Sequence, residues 1–251
     1  MTQQTLTRLR HLKLTGMADA VQQQLEQAST YEGLPFIERL SLLVEHEQLS
    51  REQRKQARLV KQARLKLQAT VQEVDYQSAR NLERSQVANL AQGEWLRRGQ
   101  NLLITGPCGC GKTYLACALG YQACQQGHST RYYRLPRLLL ELSQAKVDGS
   151  YARLLGQLAR IELLILDDCG LEAVNAEQRN ALLEIMDDRY GKYSTVVVSQ
   201  LPTEEWYASL GDNTLADAIL DRLMHNAHRL SLKGESMRKR RSELTQSEHS
   251  S

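Results

Sequence analysis

The first part of the chain has the hydrophobic periodicity of helices. From Leu6 to about Gln68, apolar residues recur every three or four positions among Gln, Glu and Arg, which is the spacing of one helix face. The segment Gly33-Leu34-Pro35 interrupts this pattern, and Pro35 suits the start of a second helix. The apolar face of that helix would contain Phe36, Ile37, Leu40, Leu43 and Val44. The pattern predicts at least two helices, forming a small all-helical N-terminal domain over residues 1–70.

A different pattern begins near residue 100. Short apolar runs alternate with amphipathic helical stretches, which is typical of parallel strands joined by covering helices. We expect an α/β domain over residues 71–242, with a five-stranded parallel sheet flanked by helices, and a disordered polar tail at 243–251. The predicted strands are Asn101–Thr105, Thr130–Arg134, Leu163–Asp167, Thr195–Ser199 and His228–Leu232.

Composition narrows the class of protein. A content of 41% hydrophobic and 24% charged residues is ordinary for a globular protein, and a single Phe leaves Leu, Ile, Val and Ala to build the core. Five cysteines lack paired metal-binding spacing, and no apolar run approaches the ~20 residues of a membrane helix. These features predict a reduced, cytoplasmic protein with no membrane partner. The formal net charge of +3 is too small to indicate a nucleic-acid partner by itself.

The strongest chemical motif lies between the first predicted strand and the following helix. It matches the phosphate-binding pattern GxxxxGK[ST] and consists of Gly106, Pro107, Cys108, Gly109, Cys110, Gly111, Lys112 and Thr113, followed by Tyr114. Glycines let such a loop fold around an anion, with backbone N–H groups pointing inward at the positive end of the helix dipole. Lys112 would neutralise the β- and γ-phosphates of ATP, and Thr113 would give its hydroxyl to Mg²⁺. The alternative is a glycine-rich turn without a ligand.

Two carboxylates end the third predicted strand. The apolar run from Leu163 to Leu166 is followed by Asp167 and Asp168, and acidic groups at that position face the phosphates in P-loop proteins. Asp167 would hold Mg²⁺, and Asp168 would orient or deprotonate the attacking water. Taken alone, the same pattern would indicate only a strand that enters a turn.

Polar residues also follow the fourth predicted strand. Ser199 and Gln200 come directly after its apolar residues, where a side chain could sense the γ-phosphate. The Ser-Gln-Leu-Pro sequence could equally be a simple strand exit.

In this order, the motifs resemble the AAA+ ATPases of the helicase-loader clade, which includes DnaC, and most closely the IstB-type insertion-sequence helper ATPases. The resemblance rests on five stretches: residues 76–113, 166–170, 198–202, 215–222 and 234–238. It implies a homo-oligomeric, ATP-dependent DNA-binding protein that prepares target DNA for a cognate transposase and stimulates it. After the last predicted strand, fewer residues remain than the ~50 of a small domain, so we expect no full C-terminal lid, and the helicase-loader clade looks similarly truncated.

The resemblance gives roles to two further arginines. Arg222 would be an arginine finger that reaches a neighbouring subunit's nucleotide, and Arg238 would be a second sensor on the bound phosphates. Arg222 could instead be an exposed helix arginine paired with a nearby carboxylate. Arg238 could instead belong to a solvated basic tail.

The densest basic segment runs from residue 51 to residue 66. Its cations are Arg51, Arg54, Lys55, Arg58, Lys61, Arg64 and Lys66. Spacings of three and four would align most of them along one helix face, which suits phosphate contacts. The segment has no aromatic residue for base stacking, so it predicts largely sequence-independent duplex DNA binding. The alternative is that the segment forms a solvated helix face. Weaker candidates for DNA contact lie between the second and third predicted strands: Arg137, Lys146 and Arg153.

Several functions share these features. A replicative helicase loader would use the same ATPase core with a different partner, and the sequence separates it poorly from a transposition helper. A P-loop kinase for a small metabolite is disfavoured by the paired Asp167 and Asp168 and by the basic N-terminal region. A non-catalytic protein that coats DNA after binding ATP also remains open.

Overall fold

The computed structural model describes residues 2–76, 80–170, 172–211, 213–234 and 236–237. Within these ranges the chain forms two compact units, the first ending at Arg58 and the second beginning at Leu59. None of the described helices is long and apolar enough to cross a membrane.

The first unit is helical, as predicted. Its elements are α1 (Thr2–His11), α2 (Thr15–Glu26), α3 (Ala28–Tyr31) and α4 (Phe36–Ala63), whose last turn belongs to the second unit. Helix α4 begins directly after Pro35, where the sequence places the helix start. Its first turn exposes apolar side chains, since Phe36 is 74% and Ile37 is 69% exposed.

A close crossing joins α2 to α4. A Cβ on Gly16 would lie 2.6 Å from Ser50 Cβ, so only a glycine permits this approach. Beside the crossing, Glu47 is buried and accepts hydrogen bonds from Met17 N at 2.9 Å and Arg51 Nε at 2.6 Å. Burial opposes the charge of Glu47, but the bonds from Arg51 and Met17 hold its pKa below the ordinary value.

The second unit contains the predicted five-stranded parallel sheet with helices around it. The strands are β1 (Asn101–Thr105), β2 (Thr130–Arg134), β3 (Leu163–Cys169), β4 (Ser194–Ser199) and β5 (Ala227–Ser231). The helices are α5 (Arg84–Ala91), α6 (Glu94–Arg97), α7 (Lys112–Gln125), α8 (Leu135–Val147), α9 (Tyr151–Ala159), α10 (Ala176–Arg189), α11 (Trp206–Leu210) and α12 (Asn213–Met224), with a 3-10 helix at Thr203–Glu205. The strand order is β2-β3-β4-β1-β5, with every neighbouring pair parallel.

The predicted strand bounds differ from the observed ones by at most two residues. Strands β1 and β2 match, β3 continues past Asp167 to Cys169, and β4 begins at Ser194. Strand β5 lies one residue earlier than predicted. Leu232 nevertheless donates its N–H to Thr105 O at 2.8 Å, so pairing with β1 continues beyond the strand end.

Aliphatic side chains dominate the core, on both faces of the sheet. Alternate residues of a strand point to opposite faces, and here both faces are buried. One face packs under α7 through Leu102, Ile104, Ile165, Val196 and Val198. The other face packs under α8, α10 and α12 through Leu103, Leu164, Leu166 and Val197.

The sheet topology brings the predicted motifs to one edge. Thr105 at the end of β1 pairs with Ser199 at the end of β4, and Ser199 also pairs with Cys169 of β3. Arg134 at the end of β2 lies opposite Asp167. The phosphate-binding loop and the paired carboxylates therefore meet at the carboxyl ends of the parallel strands, where α/β proteins bind ligands.

Candidate nucleotide-binding site

The glycine-rich loop connects β1 to α7 and depends on glycine at three positions. Gly106, Gly109 and Gly111 have φ angles of 142°, 81° and 96°, which side chains rarely adopt. A Cβ on Gly106 would also lie 2.3 Å from Leu232 O. The loop is therefore closed against the chain that follows β5, and it ends at the amino terminus of α7, where an anion is stabilised.

Lys112 lies inside the loop. Its side chain is buried, and Nζ donates hydrogen bonds to Gly106 O at 2.7 Å and Pro107 O at 2.8 Å. Carbonyl oxygens thus satisfy the ammonium group, which keeps a positive charge on the inner side of the loop. A phosphate can replace these weak acceptors with a charged one.

Asp167 is the centre of a buried polar cluster. Its Oδ2 accepts hydrogen bonds from Thr113 Oγ1 at 2.9 Å and Tyr132 Oη at 2.6 Å, and its Oδ1 accepts one from Asp168 N at 2.8 Å. Lys66 Nζ lies 3.8 Å from Oδ2. Burial, together with the bond to the Asp167 carboxylate, raises the pKa of Tyr132 above its ordinary value. Sequence reasoning missed Tyr132, although its place on the strand beside β3 could have indicated the contact.

Asp168 is held by an arginine. Arg134 Nε donates to Asp168 Oδ2 at 2.5 Å, and this bond raises the pKa of Arg134. The backbone of Asp168 has a φ of 61°, in the left-handed region that Asp tolerates better than most residues. The ion pair fixes the position of the carboxylate, and sequence reasoning did not include Arg134 in the site.

The hydroxyl of Ser199 forms two hydrogen bonds within the protein. It donates to Cys169 O at 2.8 Å and accepts a bond from Leu201 N at 3.1 Å, and Ser199 is buried. These bonds tie the end of β4 to the end of β3. Gln200 follows in an exposed position, so of the two predicted sensors it has the more accessible side chain.

The oxygen donors at this edge fit a magnesium ion. A hydroxyl from Thr113 and a carboxylate from Asp167 are hard ligands, and Mg²⁺ takes one or two such groups together with water and phosphate oxygens. Among the described residues, no group of three His, Cys, Asp or Glu side chains could hold a metal ion alone. Water and phosphate oxygens would complete the coordination of Mg²⁺ held by Thr113 and Asp167.

A cavity of about 270 Å³ adjoins the loop. Lys112, Thr113 and Tyr114 line it, together with Glu73 and Arg80 from the segment before β1. Tyr114 Oη donates to Glu73 Oε2 at 3.1 Å. Neither Asp167 nor Asp168 is among its lining residues, and the space can accommodate part of a nucleotide. Sequence reasoning did not predict which residues line it.

The loop cysteines differ in environment. Cys108 is exposed, whereas Cys110 is fully buried, and neither forms a disulfide. Among the described residues, Cys108 is thus the loop thiol that solvent can reach.

Arg222 lies away from this site. Asn101, the first residue of β1, donates through Nδ2 to Arg222 O at 3.0 Å, which puts Arg222 at the opposite end of β1 from the loop. Its side chain pairs with Asp187 and donates to Ala218 O at 2.9 Å. The structure does not bring Arg222 to the chain's own loop.

Arg238 lies outside the described residues. The chain reaches the loop just before it, because Met237 N donates to Gly109 O at 3.0 Å and Met237 lines the cavity.

The predicted DNA-binding residues fall in different places. In the first unit, a wide cleft is lined by Lys13, Arg51, Arg54, Lys55 and Arg58, and Lys13 was not predicted. This set is called the basic cleft below. Arg51 and Arg54 share Glu47 as an ion-pair partner, at 2.6 and 3.5 Å.

The remaining candidates lie outside the basic cleft. Lys61 is exposed in the last turn of α4, and Arg64 follows that helix with a φ of 50°. Lys66 lies beside Asp167 as described above. Lys146 pairs with Glu177 at 3.3 Å and lies over the Tyr151 ring at 4.8 Å, so its charge is already partnered.

Comparisons with known proteins agree on one family. The sequence profile of the IstB-like ATP binding proteins matches residues 7–245. An insertion sequence ATP-binding protein of Sinorhizobium fredii is 48% identical over 235 residues, covering 94% of this chain and 96% of the relative. The ATP-binding protein of insertion sequence IS1162 from Pseudomonas fluorescens is 48% identical over 204 residues, covering 81% and 88%.

Solved structures show the same fold. The crystal structure of the DnaC helicase loader superposes with a TM-score of 0.57 at 20% identity, over 66% of this chain and 97% of that one. At this identity the likeness concerns the fold, which is the AAA+ P-loop fold that the motifs predicted.

Proposed function

Because this chain belongs to the family of IstB-like ATP binding proteins, we propose that it is a Mg²⁺-dependent ATPase that assembles on duplex DNA and stimulates the transposase of an insertion sequence. The observation that carries the proposal is the contact between Thr113 of the phosphate-binding loop and the buried Asp167. In P-loop ATPases these two side chains hold the metal beside the triphosphate.

The residues at the sheet edge divide the work of hydrolysis. Lys112 leaves its carbonyl partners and binds the β- and γ-phosphates. Thr113 and Asp167 would hold Mg²⁺, and the metal would neutralise charge on the phosphates. Asp168 orients the attacking water and accepts its proton. Tyr132, through its bond to Asp167, fixes the carboxylate for the metal, and Gln200 is the better placed of the two candidate sensors.

DNA binding is assigned to the basic cleft. Five cations surround it, and the single buried carboxylate of Glu47 offsets only part of their charge. Such a cluster attracts phosphates of any sequence. Lys13, Lys55 and Arg58 form no ion pair with any described residue, so they are the most available of the five for phosphate contacts.

Assembly is assigned to Arg222. Because Arg222 lies at the far end of β1 from its own loop, an arginine finger at this position acts on the nucleotide of a neighbouring subunit. A finger can contribute ~10³ to 10⁵ in rate. Hydrolysis then depends on oligomer formation, and DNA that gathers subunits would increase it.

The experiment combines nucleotide turnover with strand transfer. Purified protein, or in a separate reaction its Lys112→Ala variant, is mixed with the cognate transposase, target DNA and ATP. We expect ATP hydrolysis and increased strand transfer with the wild type, and neither with the variant. ATP hydrolysis without any effect on strand transfer, but with loading of a replicative helicase onto DNA, would favour the helicase-loader alternative.

A further inference from the structure

Arg80 is a buried charge beside the phosphate-binding loop. The residue is only 6% exposed and borders the cavity next to Lys112. Its Nη1 makes one long hydrogen bond, 3.4 Å, to Cys110 O. Its Nε and Nη2 are buried and have no hydrogen-bond partner among the described residues.

This environment is unfavourable for a cation without an anion. A buried charge is strongly destabilising unless it is paired and hydrogen-bonded. The guanidinium also lies at the amino terminus of α7, where the helix dipole adds positive potential. A negatively charged ligand in the adjoining cavity would pair with the guanidinium. It would also be stabilised by the dipole of α7.

Two hydrogen bonds hold the backbone around Arg80 in place. Lys233 N donates to Arg80 O at 2.9 Å, and Asn81 Nδ2 donates to Ser231 O at 3.0 Å. These bonds fix the backbone to the end of β5. The guanidinium approaches the loop so closely that a Cβ on Gly111 would lie 2.7 Å from Nη1. Gly111 therefore leaves room for the Arg80 guanidinium and also adopts a positive φ.

We propose that Arg80 is a nucleotide-binding residue that pairs with the α- and β-phosphates of the bound nucleotide. This inference rests on the proposed ATP site and adds a second cation to it. Lys112 reaches the phosphates from inside the loop, whereas Arg80 reaches them from the segment before β1. A guanidinium can donate two parallel hydrogen bonds to one phosphate, which an ammonium cannot do.

The location of the cavity selects these phosphates over the γ-phosphate. Among the described residues, its lining includes Lys112, Thr113 and Arg80 but neither Asp167 nor Asp168. The two carboxylates assigned to the metal and the attacking water lie outside this lining, whereas Lys112 borders it, so we assign Arg80 to the phosphates that Lys112 does not reach alone. The loss of Arg80 should therefore weaken ADP and ATP binding by the same factor.

The test compares Arg80→Met with Arg84→Met as a matched control. Arg84 is exposed, four residues further along the chain, and lies over the Tyr76 ring. Calorimetry measures the affinities of ADP and a non-hydrolysable ATP analogue, and thermal unfolding is recorded without nucleotide. For Arg80→Met we expect an affinity loss of ~10- to 100-fold for both nucleotides. We also expect a melting temperature without nucleotide that equals or exceeds that of the wild type.

Other outcomes would overturn the inference. Unchanged affinities together with a lower melting temperature, or a failure of Arg80→Met to fold, would make Arg80 a structural residue. A loss confined to the ATP analogue would move its contact to the γ-phosphate. Equal losses for Arg84→Met would assign the effect to net charge. Failure of the proposed ATP site is separable, because the wild-type protein would then bind neither nucleotide.

Discussion

The basic cleft makes a quantitative prediction about DNA binding. In the triple variant Lys13→Gln, Lys55→Gln and Arg58→Gln, three of its five cations lose their charge. Arg51 and Arg54 remain, and so does Glu47, which binds both of them. The substitutions therefore remove phosphate contacts without leaving a buried carboxylate unpaired.

The size of the effect follows from counterion release. Each phosphate contact contributes ~0.9 to the slope of log affinity against log salt concentration, so three contacts contribute about 2.7. A fourfold increase in salt, from about 50 to 200 mM, would then weaken the wild-type protein ~40-fold more than the variant. Duplexes of different sequence should show the same difference, since phosphate contacts carry no sequence information.

The assay is fluorescence anisotropy with labelled duplexes across a range of salt concentrations. A control variant, Arg97→Gln, Arg98→Gln and Lys192→Gln, loses the same charge from exposed positions of the second unit. We expect the control to keep the wild-type slope. If the cleft variant also keeps it, the cleft is a solvated surface. If both variants lose it equally, net charge rather than the cleft controls binding.

Three further predictions concern hydrolysis, folding and assembly. Asp168→Asn should bind ATP normally but hydrolyse it ~10² to 10⁴ times more slowly, because the attacking water loses its base. Calorimetry measures the affinity, and steady-state kinetics measures the rate of hydrolysis. Glu47→Gln should lower the free energy of unfolding by ~1–3 kcal/mol at neutral pH. Because the folded pKa of Glu47 is lowered, this difference should exist above its ordinary pKa of 4.5 and disappear in urea titrations at lower pH. A mixture of Arg222→Ala and Lys112→Ala proteins should regain ATPase activity that neither has alone, whereas normal turnover by Arg222→Ala on DNA would contradict a role as a finger.

The fold could be predicted well from the sequence because the patterns that indicate its strands and helices are local. Apolar runs of four to six residues separated by helical stretches allow few arrangements other than a parallel sheet with covering helices. Strand limits were off by one or two residues at β3, β4 and β5. These limits depend on the neighbouring strand, as the bond from Leu232 N to Thr105 O illustrates.

The sequence predicted less of the site, because several of its contacts join residues far apart in the chain. The loop and the paired carboxylates are contiguous motifs and were found directly. Tyr132, Arg134 and Arg80 were missed, since each contacts the site through a neighbouring strand or a packed segment. Lys66 illustrates the reverse case. It continues a basic helical pattern in the sequence, but the chain turns after α4 and puts its ammonium beside Asp167.

The position of Arg222 relative to the loop depends on the order of the strands in the sheet. Local sequence patterns do not predict that order. Strand β1 lies in the interior of the sheet, with the loop at its carboxyl end and the Arg222 backbone bonded to Asn101 at its amino end. Four steps of ~3.3 Å along β1 separate these ends by about 13 Å. Hydrogen bonds hold the guanidinium to Asp187 and Ala218 at that far end. If Arg222 contacts a nucleotide during hydrolysis, that nucleotide therefore belongs to another subunit.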